Sequence, residues 1–91
     1  MKLSFDPAKN ARNIQERGLD FNLVSEFDWT GALVNEDIRQ DYGERRFRVV
    51  GCIGNRLCAL LFTPRADRLH IISLRKANLR EIKQYGKTTQ P

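Results

Sequence analysis

The chain has 91 residues, of which 41% are hydrophobic and 30% are charged, and its formal net charge is +5. This length corresponds to one small domain with a single core, and it leaves no room for a second module. No apolar run reaches the ~20 residues of a membrane span, and the N-terminus lacks the apolar core of a signal peptide, so we expect a cytoplasmic protein without a membrane partner.

Charge is distributed unevenly along the chain. Residues 1–44 hold five Lys/Arg and nine Asp/Glu, a net charge of −4, whereas residues 45–91 hold eleven and two, a net charge of +9. A basic surface of this kind concentrates polyanions, and nucleic acid is the commonest polyanion in cells. The alternative is a solvated basic face that only confers solubility.

Cysteine and histidine usage argues against two kinds of site. A two-residue turn at Gly54-Asn55 pairs Cys52 with Leu57 and sends the side chains of Cys52 and Cys58 to opposite faces, so a disulfide is not expected. His70 is the only histidine, and no Cys/His cluster has metal-ligand spacing. We therefore expect neither a metal nor another cofactor.

Two helices are predicted in the N-terminal third. The first begins at Asp6-Pro7, an acidic N-cap followed by a proline, and ends at Gly18. The second is shorter, begins at Asp20 and ends at Trp29-Thr-Gly31. Helical spacing predicts that five residues face inward, namely Ala11, Ile14, Phe21, Val24 and Phe27. It places Asn13 on the polar side of the first helix.

From residue 32 onward, alternating apolar and polar residues predict strands joined by short loops, which is typical of an antiparallel meander. The predicted strands are Ala32–Ile38, Arg46–Ile53, Arg56–Thr63 and Arg68–Arg75, with a short first strand at residues 2–5.

A basic C-terminal helix follows, with Asn78 as its N-cap and Leu79 and Ile82 as its inward pair. The expected fold is therefore α+β, with the two N-terminal helices on one face of the sheet. We expect one domain at residues 1–86 and a flexible tail at residues 87–91.

Turn lengths predict which residues share a face of the sheet. A two-residue turn at Gly54-Asn55 places Phe47 opposite Phe62, and a four-residue turn at Pro64–Asp67 places Thr63 opposite Arg68 and Leu61 opposite His70. The apolar face that the helices cover then holds Phe47, Val49, Leu60, Phe62, Leu69 and Ile71. The other face holds Arg46, Arg48, Thr63, Arg68 and His70 at one end and Val50, Leu57, Ala59, Ile72 and Leu74 at the other.

The basic end of that second face suits a phosphodiester, because arginine forks bind two phosphate oxygens and stay charged. A ribonuclease without a metal must help the 2′-hydroxyl to attack, stabilise the extra negative charge and protonate the leaving 5′-oxygen. His70, Glu44 and Glu81 are candidates for the proton transfers, and Tyr85 is a weaker one. The alternative for His70 is a strand histidine that only hydrogen-bonds to a neighbour, and for Glu81 a pairing with Arg80 or Tyr85 on the helix surface.

Three motifs, in order along the chain, are Phe5-Asp6-x-x-Lys9-Asn10-x-x-Asn13-Ile14-x-x-x-Gly18, Asp41-Tyr42-Gly43-Glu44-x-Arg46-Phe47, and Arg68-x-His70-Ile71-Ile72-Ser73-x-Arg75-Lys76-Ala77 with Glu81 and Tyr85 beyond it. Over nearly the whole chain they resemble the BrnT toxins of bacterial type II toxin–antitoxin systems. The resemblance implies a RelE-like fold and an endoribonuclease that cuts cellular RNA and arrests growth. It also implies neutralisation by a BrnA antitoxin, whose ribbon-helix-helix part dimerises and binds operator DNA.

The resemblance and the sheet register highlight overlapping residues. The resemblance highlights Glu44, Arg46, Arg65, Arg75, Glu81 and Tyr85 as catalytic. The register argument also selects Arg46 and adds His70 to the catalytic candidates. The residues expected to bind RNA are Lys9, Arg48, Arg68, Lys76 and Arg80. Relatives commonly have a tryptophan near Phe5 and a histidine where this chain has Arg17, so here either His70 carries more of the chemistry or activity is weaker.

The sequence thus predicts a metal-independent endoribonuclease toxin, in which Arg46 and Arg75 stabilise the transition state and Glu44 or His70 moves protons. The acidic first half and the apolar end of the second face, with Leu57, Ile72 and Leu74, are the predicted docking surfaces for the antitoxin. One alternative is a regulator that binds nucleic acid without cutting it. Another is a scaffold whose basic helix docks an acidic protein.

Overall fold

The computed structural model describes residues 2–89, which form a mixed α+β fold with a five-stranded sheet and helices. The strands are β1 (Lys2–Ser4), β2 (Phe27–Glu36), β3 (Phe47–Ile53), β4 (Arg56–Arg65) and β5 (Arg68–Lys76). The helices are α1 (Pro7–Arg17), a 3₁₀ helix (Phe21–Glu26) and α2 (Leu79–Thr89). No helix in this part of the chain is both long and apolar enough to cross a membrane.

The sheet order is β1-β5-β4-β3-β2, and strands β2 to β5 form the predicted antiparallel meander. The first strand departs from a purely antiparallel sheet, because β1 pairs in parallel with β5 and places Ser4 beside His70. This pairing joins residues from opposite ends of the chain, so β1 closes the sheet at the edge where β5 would otherwise be exposed.

The second predicted helix is wrong in its length and its end. Asp20 does cap a helical segment by accepting a hydrogen bond from the backbone N–H of Asn22 at 2.9 Å, but the segment is a 3₁₀ helix that ends before Phe27. Phe27 and Trp29 already belong to β2, where alternate side chains turn inward. The spacing of Phe21 and Val24 is helical, whereas that of Phe27 and Trp29 has the period of a strand.

Helix α1 faces the core with amides rather than with its aliphatic residues, contrary to the prediction. Asn13 is buried, and its Nδ2 donates to the carbonyl oxygens of Leu19 at 2.8 Å and Leu74 at 2.9 Å. Ala11 is exposed, and Ile14 is 44% exposed. Because two buried carbonyl groups take their hydrogen bonds from Asn13, polar satisfaction rather than apolar burial sets the rotation of this helix.

The register of β3 and β4 is confirmed, whereas that of β4 and β5 is wrong. Phe47 pairs with Phe62, as predicted from the turn at Gly54-Asn55. The next turn has two residues, not four, because Arg65 pairs with Arg68, and Thr63 therefore lies opposite His70. Pro64 lies within β4, opposite Leu69 and beyond the last β3–β4 pair, Phe47–Phe62.

A β-bulge in β5 corrects the predicted faces. Leu61 pairs with Ser73 and Phe62 with Ile71, so Ile72 is an extra residue between the two pairs. Beyond the bulge the alternation reverses, and Leu74 is fully buried in the core. Ile72 lines a depression with residues of α1. Neither side chain is available on the second face, so the predicted antitoxin surface loses two of its three apolar residues.

The core lies between the sheet and the N-terminal helical segments. It contains Leu19, Phe21, Val24, Phe27, Val49, Ile53, Cys58, Leu60, Phe62, Ile71 and Leu74. Both cysteines are free, and their side chains lie on opposite faces of the sheet, as predicted.

Helix α2 is rotated relative to the prediction. Leu79 is 68% exposed and Ile82 is 46% exposed, whereas Glu81 and Tyr85, one turn apart, are partly buried. The helix contacts β2 and β3. It extends to Thr89, so part of the predicted tail is helical; the rest lies outside the described residues, and its flexibility stays a prediction.

Candidate active site

The predicted site residues fall mainly on the sheet face opposite α1, which we call the α2 face. Pairing places Arg48 beside Leu61, and Thr63 beside His70, in successive rows of this face. Two groups of polar side chains occupy its two ends. We call them the His70 cluster (Ser4, Glu44, Arg46, Arg65 and His70) and the Arg75 groove, whose lining is given below.

His70 is a half-buried imidazole held by the first strand. Its Nδ1 and the Oγ of Ser4 form a hydrogen bond of 2.9 Å. Burial lowers the pKa of His70 below its ordinary value, and the charge of Arg65 lowers it further, against an opposing effect of Glu44. The imidazole is therefore neutral at pH 7 and is able to accept a proton.

Glu44 is ionised beside this imidazole. Its Oε1 accepts a hydrogen bond from Nη2 of Arg65 at 3.3 Å. This bond is the main cause that lowers the pKa of Glu44, and the charges of Arg65 and Arg46 lower it further, while burial opposes them. The carboxylate therefore orients Arg65 and has no proton to donate near neutral pH.

The segment between β2 and β3 fixes Arg46. The guanidinium carbon of Arg46 lies 4.0 Å from the ring centroid of Tyr42, in a cation–π arrangement. Tyr42 in turn donates its hydroxyl to Oδ2 of Asp37 at 3.2 Å, and the backbone N–H of Asp37 donates to the carbonyl of Arg46 at 2.7 Å. The Nε of Arg46 is buried and has no hydrogen-bond partner among the described residues.

Asp37 anchors this arrangement because its carboxylate is only 3% exposed. Arg39 donates to both of its oxygens, each at 2.8 Å, and the Arg39 side-chain bond is the main reason that the pKa of Asp37 lies well below its usual range. A fixed anion beside Tyr42 holds the phenol ring in place beneath Arg46.

Arg75 and Glu81 form a two-bond ion pair at the other end of the α2 face. Nη1 and Nη2 of Arg75 donate to the two carboxylate oxygens of Glu81 at 2.7 and 2.9 Å. Glu81 also accepts from the backbone N–H of Asn78 at 2.9 Å, while Oδ1 of Asn78 accepts from the N–H of Glu81 at 2.8 Å. This reciprocal cap begins α2 and ties it to β5. The bonds from Arg75 are the main cause that lowers the pKa of Glu81, so the pair stays ionised.

The Arg75 groove lies between α2 and the α2 face of the sheet and has a volume of about 320 Å³. Its lining consists of Asn35, Arg48, Val50, Arg75, Asn78, Arg80, Glu81 and Gln84.

The two ends of the α2 face are separated along β4. Thr63 marks the row of His70, and Ala59, four residues away, marks the row of Arg75. At ~3.3 Å per residue the rows lie ~13 Å apart. Arg48 pairs with Leu61 midway between them, so the basic face is continuous from one end to the other.

A family model describing ribonuclease toxins named BrnT, from type II toxin–antitoxin systems, matches residues 5–81. The chain belongs to the BrnT family. The match confirms the resemblance seen in the motifs, and it indicates an RNA target and an antitoxin partner. No curated protein matches the chain.

The BrnT motifs contain structural residues as well as site residues. Asn10 accepts a hydrogen bond from the backbone N–H of Phe21 at 2.8 Å, and Asn13 holds two carbonyl groups, so both amides fasten α1 to the rest of the fold. Glu44, Arg46 and His70 come together at one site.

Four of the other predicted residues lie apart from the His70 cluster. The Oη of Tyr85 accepts from Sγ of Cys52 at 3.9 Å, and this contact is the main cause that raises the pKa of the phenol. Lys76 pairs with Cys58, which is buried in the core. Lys76 therefore lies on the sheet face that α1 covers, opposite the α2 face. Arg80 and Glu81 line the Arg75 groove.

Two further cations lie near the His70 end. Arg68 pairs with Asp67 at 3.3 Å and lies two residues from His70 on the same face. Lys9 is exposed on α1, and its charge also lowers the pKa of His70.

Sequence reasoning missed three supporting residues of this BrnT chain. Tyr42 stands in the second motif, which is the only sequence signal for it. Ser4 has no such signal because its partner His70 lies 66 residues away. Asp37 stands outside the motifs, although its partners Arg39, Tyr42 and Arg46 all follow it within nine residues. No group of three or more His, Cys, Asp or Glu side chains within residues 2–89 is arranged to hold a metal ion.

Proposed function

We propose that this BrnT protein is a metal-independent endoribonuclease that cuts RNA by attack of a 2′-hydroxyl at the His70 cluster. The observation that carries the proposal is the grouping of one imidazole, His70, with the guanidinium groups of Arg46 and Arg65 at the same end of the α2 face, where Arg65 is held by Glu44 at 3.3 Å and Arg46 lies over Tyr42. A base and fixed positive charge are the two requirements of this reaction.

In the proposed reaction His70 accepts the proton of the 2′-hydroxyl as its oxygen attacks the adjacent phosphorus. Arg46 and Arg65 stabilise the negative charge that develops on the phosphoryl oxygens. The protonated His70 then returns the proton to the 5′-oxygen as its bond to phosphorus breaks. The products are a 2′,3′-cyclic phosphate and a 5′-hydroxyl, so atoms and charge balance without a cofactor.

Glu44 keeps Arg65 in place in this scheme, and Tyr42 does the same for Arg46. Arg75, which sequence analysis paired with Arg46 as a stabiliser of the transition state, is engaged by Glu81 about 13 Å along the sheet. We therefore assign Arg75 to substrate binding, where Arg48 and Arg80 accompany it.

The wider proposal follows the family. The fold is RelE-like, the toxin acts on RNA in the cytoplasm and arrests growth, and a BrnA antitoxin neutralises it and carries the complex to operator DNA. The first half of the chain has a net charge of −4. We propose that its acidic side chains form the surface to which a basic part of the antitoxin binds.

The test is cleavage of a single-stranded RNA by the purified protein in the presence of EDTA, with product ends analysed by mass spectrometry. Wild type is expected to yield cyclic phosphate ends, and His70→Ala and Arg46→Ala are expected to lose at least a hundredfold in rate while still binding RNA. RNA that binds but stays intact would instead favour a non-catalytic regulator. Gln15→Ala, at an exposed amide on α1, is the control variant.

A further inference from the structure

We infer that the Arg75 groove is a subsite that reads the base of one unpaired nucleotide close to the cut. The inference rests on the proposed function and deepens it, because it names groups that choose where the RNA is cut. It assigns a role to Asn35 and Gln84, which no motif singled out.

The chemistry of the groove matches a base edge. Asn35, Asn78 and Gln84 bring side-chain amides to one small volume, and an amide has both donors and an acceptor. The Oδ1 of Asn78 already accepts from the N–H of Glu81, so Asn78 contributes its donors to the groove. Bases present the same pairs of donors and acceptors, and amide side chains recognise them by paired hydrogen bonds. Phosphate oxygens only accept hydrogen bonds, so a phosphate would use the donors of these amides and leave their acceptor oxygens unused, whereas a base edge can use both.

Charge supports the same assignment. Glu81 neutralises one positive charge of the groove through its ion pair with Arg75, and the lining residues Arg48 and Arg80 add two more cations. Two cations beside a neutral, hydrogen-bonding interior suit one nucleotide, whose phosphate is anionic and whose base is not. A run of several phosphates would favour a groove without a carboxylate.

The volume and the lining of the Arg75 groove also fit a single base. The volume of about 320 Å³ lies at the lower end of the ~300–1,000 Å³ that small-molecule sites occupy. Val50 contributes an apolar residue to the lining, and the guanidinium planes of the lining arginines are able to stack on a base. Helix α2 closes one side of the Arg75 groove. A base therefore has to be unpaired and unstacked before it enters the groove.

Position connects the subsite to cutting. The groove shares the α2 face with His70, about 13 Å away by strand rise, with Arg48 between. A strand of RNA that passes through both places would have one nucleotide read in the groove and a neighbouring linkage cut at His70. Cleavage would then depend on base identity at a fixed distance from the cut.

The first experiment needs no catalysis. Binding of the four nucleoside 5′-monophosphates and of inorganic phosphate is measured by NMR titration of the full chain. We expect at least one nucleotide to bind five times more tightly than phosphate, with shifts at Asn35 and Gln84. Asn35→Ala/Gln84→Ala should lose that preference, while its phosphate affinity and its circular dichroism spectrum stay unchanged. Gln15→Ala should behave as wild type. Equal binding of nucleotides and phosphate, or a preference that survives the double variant, overturns the subsite.

The second experiment follows the cut. Sequencing of RNA ends is expected to show a base preference beside the cut in wild type and loss of that preference in the double variant, at a rate within tenfold of wild type. An unchanged preference overturns the subsite and leaves the ribonuclease intact. A selective nucleotide site in a protein that cuts no RNA supports the subsite and removes the proposed function, so the two failures are distinguishable.

Discussion

His70 has a depressed pKa, and this makes a prediction about the pH dependence of cleavage. Burial and Arg65 lower the pKa below 6.5, so the imidazole becomes an effective base at a pH where a free histidine is still half protonated. The rate should rise with pH below 6.5 and level off at neutrality. Measurement of initial rates from pH 5 to pH 8 checks this. A midpoint above 6.5, or the same profile in His70→Gln, contradicts it.

The same shift affects stability, and its sign is fixed. Just below pH 6.5 the unfolded chain binds more protons than the folded one, so the free energy of unfolding should fall as the pH drops through this range. Urea unfolding at several pH values measures the slope. His70→Gln removes this part of the slope and keeps the contribution of the carboxylates.

Tyr42 should act through its ring more than through its hydroxyl. Tyr42→Phe keeps the surface under Arg46, whereas Tyr42→Leu removes a cation–π contact of ~0.5–2 kcal/mol. We expect kcat to fall by about 2- to 30-fold in Tyr42→Leu, by conversion of that range, and little in Tyr42→Phe. If both variants lose equally, the bond to Asp37 is what positions Arg46, and the role assigned to the ring is wrong.

At the scale of elements, α1 should be stabilised more by its buried amide Asn13 than by its aliphatic residue Ile14, the reverse of what apolar spacing predicts. Asn13→Ala leaves two buried carbonyl groups without their donor, which should cost roughly 2–4 kcal/mol in the free energy of unfolding. Ile14→Ala, although it removes an aliphatic side chain, should cost below about 1 kcal/mol because Ile14 is 44% exposed. Urea unfolding of the two variants side by side decides, and the opposite order would mean that α1 is rotated toward its aliphatic stripe.

Two glycines provide a matched pair at the same scale. A Cβ at Gly51 would lie 2.7 Å from the Phe27 ring, so Gly51→Ala should destabilise β3 by about 1–3 kcal/mol through overpacking. Gly86 lies within α2 and has open space around it, so Gly86→Ala should stabilise the protein by up to about 1 kcal/mol. Thermal unfolding of both variants gives the test, and a stable Gly51→Ala would show that Phe27 moves aside.

The elements also show what the sequence made predictable. The turn at Gly54-Asn55 fixed the β3–β4 register, because a two-residue loop leaves no freedom in the pairing. The β4–β5 register was not predictable in the same way, since Pro64 suggested a loop and the bulge at Ile72 has no local signal. For α1 and α2, apolar spacing correctly indicated a helix but gave the wrong inward face. Amides of α1 and an ion pair of α2, rather than aliphatic residues, make the contacts with the sheet.

The site was predictable to a similar degree. Arg46 and His70 followed from alternation on one face, and Glu44 and Arg65 from the family motifs. Their grouping depends on Ser4, whose hydrogen bond to His70 spans 66 residues, and on the segment that carries Tyr42. Neither contact leaves a periodic trace in the sequence.

At the scale of the whole molecule, the charge division predicts a strong salt dependence of RNA binding. The second half of the chain carries +9, and Arg48 lies in the middle of the basic face. Log affinity should fall linearly with log salt concentration, and Arg48→Ala should reduce the slope by ~0.7, the value for one phosphate contact on a single strand. Fluorescence anisotropy with a labelled RNA measures both slopes. Arg56→Ala, an exposed cation at the opposite end of β4, serves as the control.

The parallel pairing of β1 with β5 has a consequence for biosynthesis. Ser4 and His70 are 66 residues apart, yet they share a hydrogen bond, so the imidazole is oriented only after almost the entire chain has left the ribosome. Contacts of such long range form late in folding. The proposed site would therefore be assembled only once both ends of the chain are available, and a purification tag fused ahead of Lys2 would be placed near the imidazole rather than at a remote end.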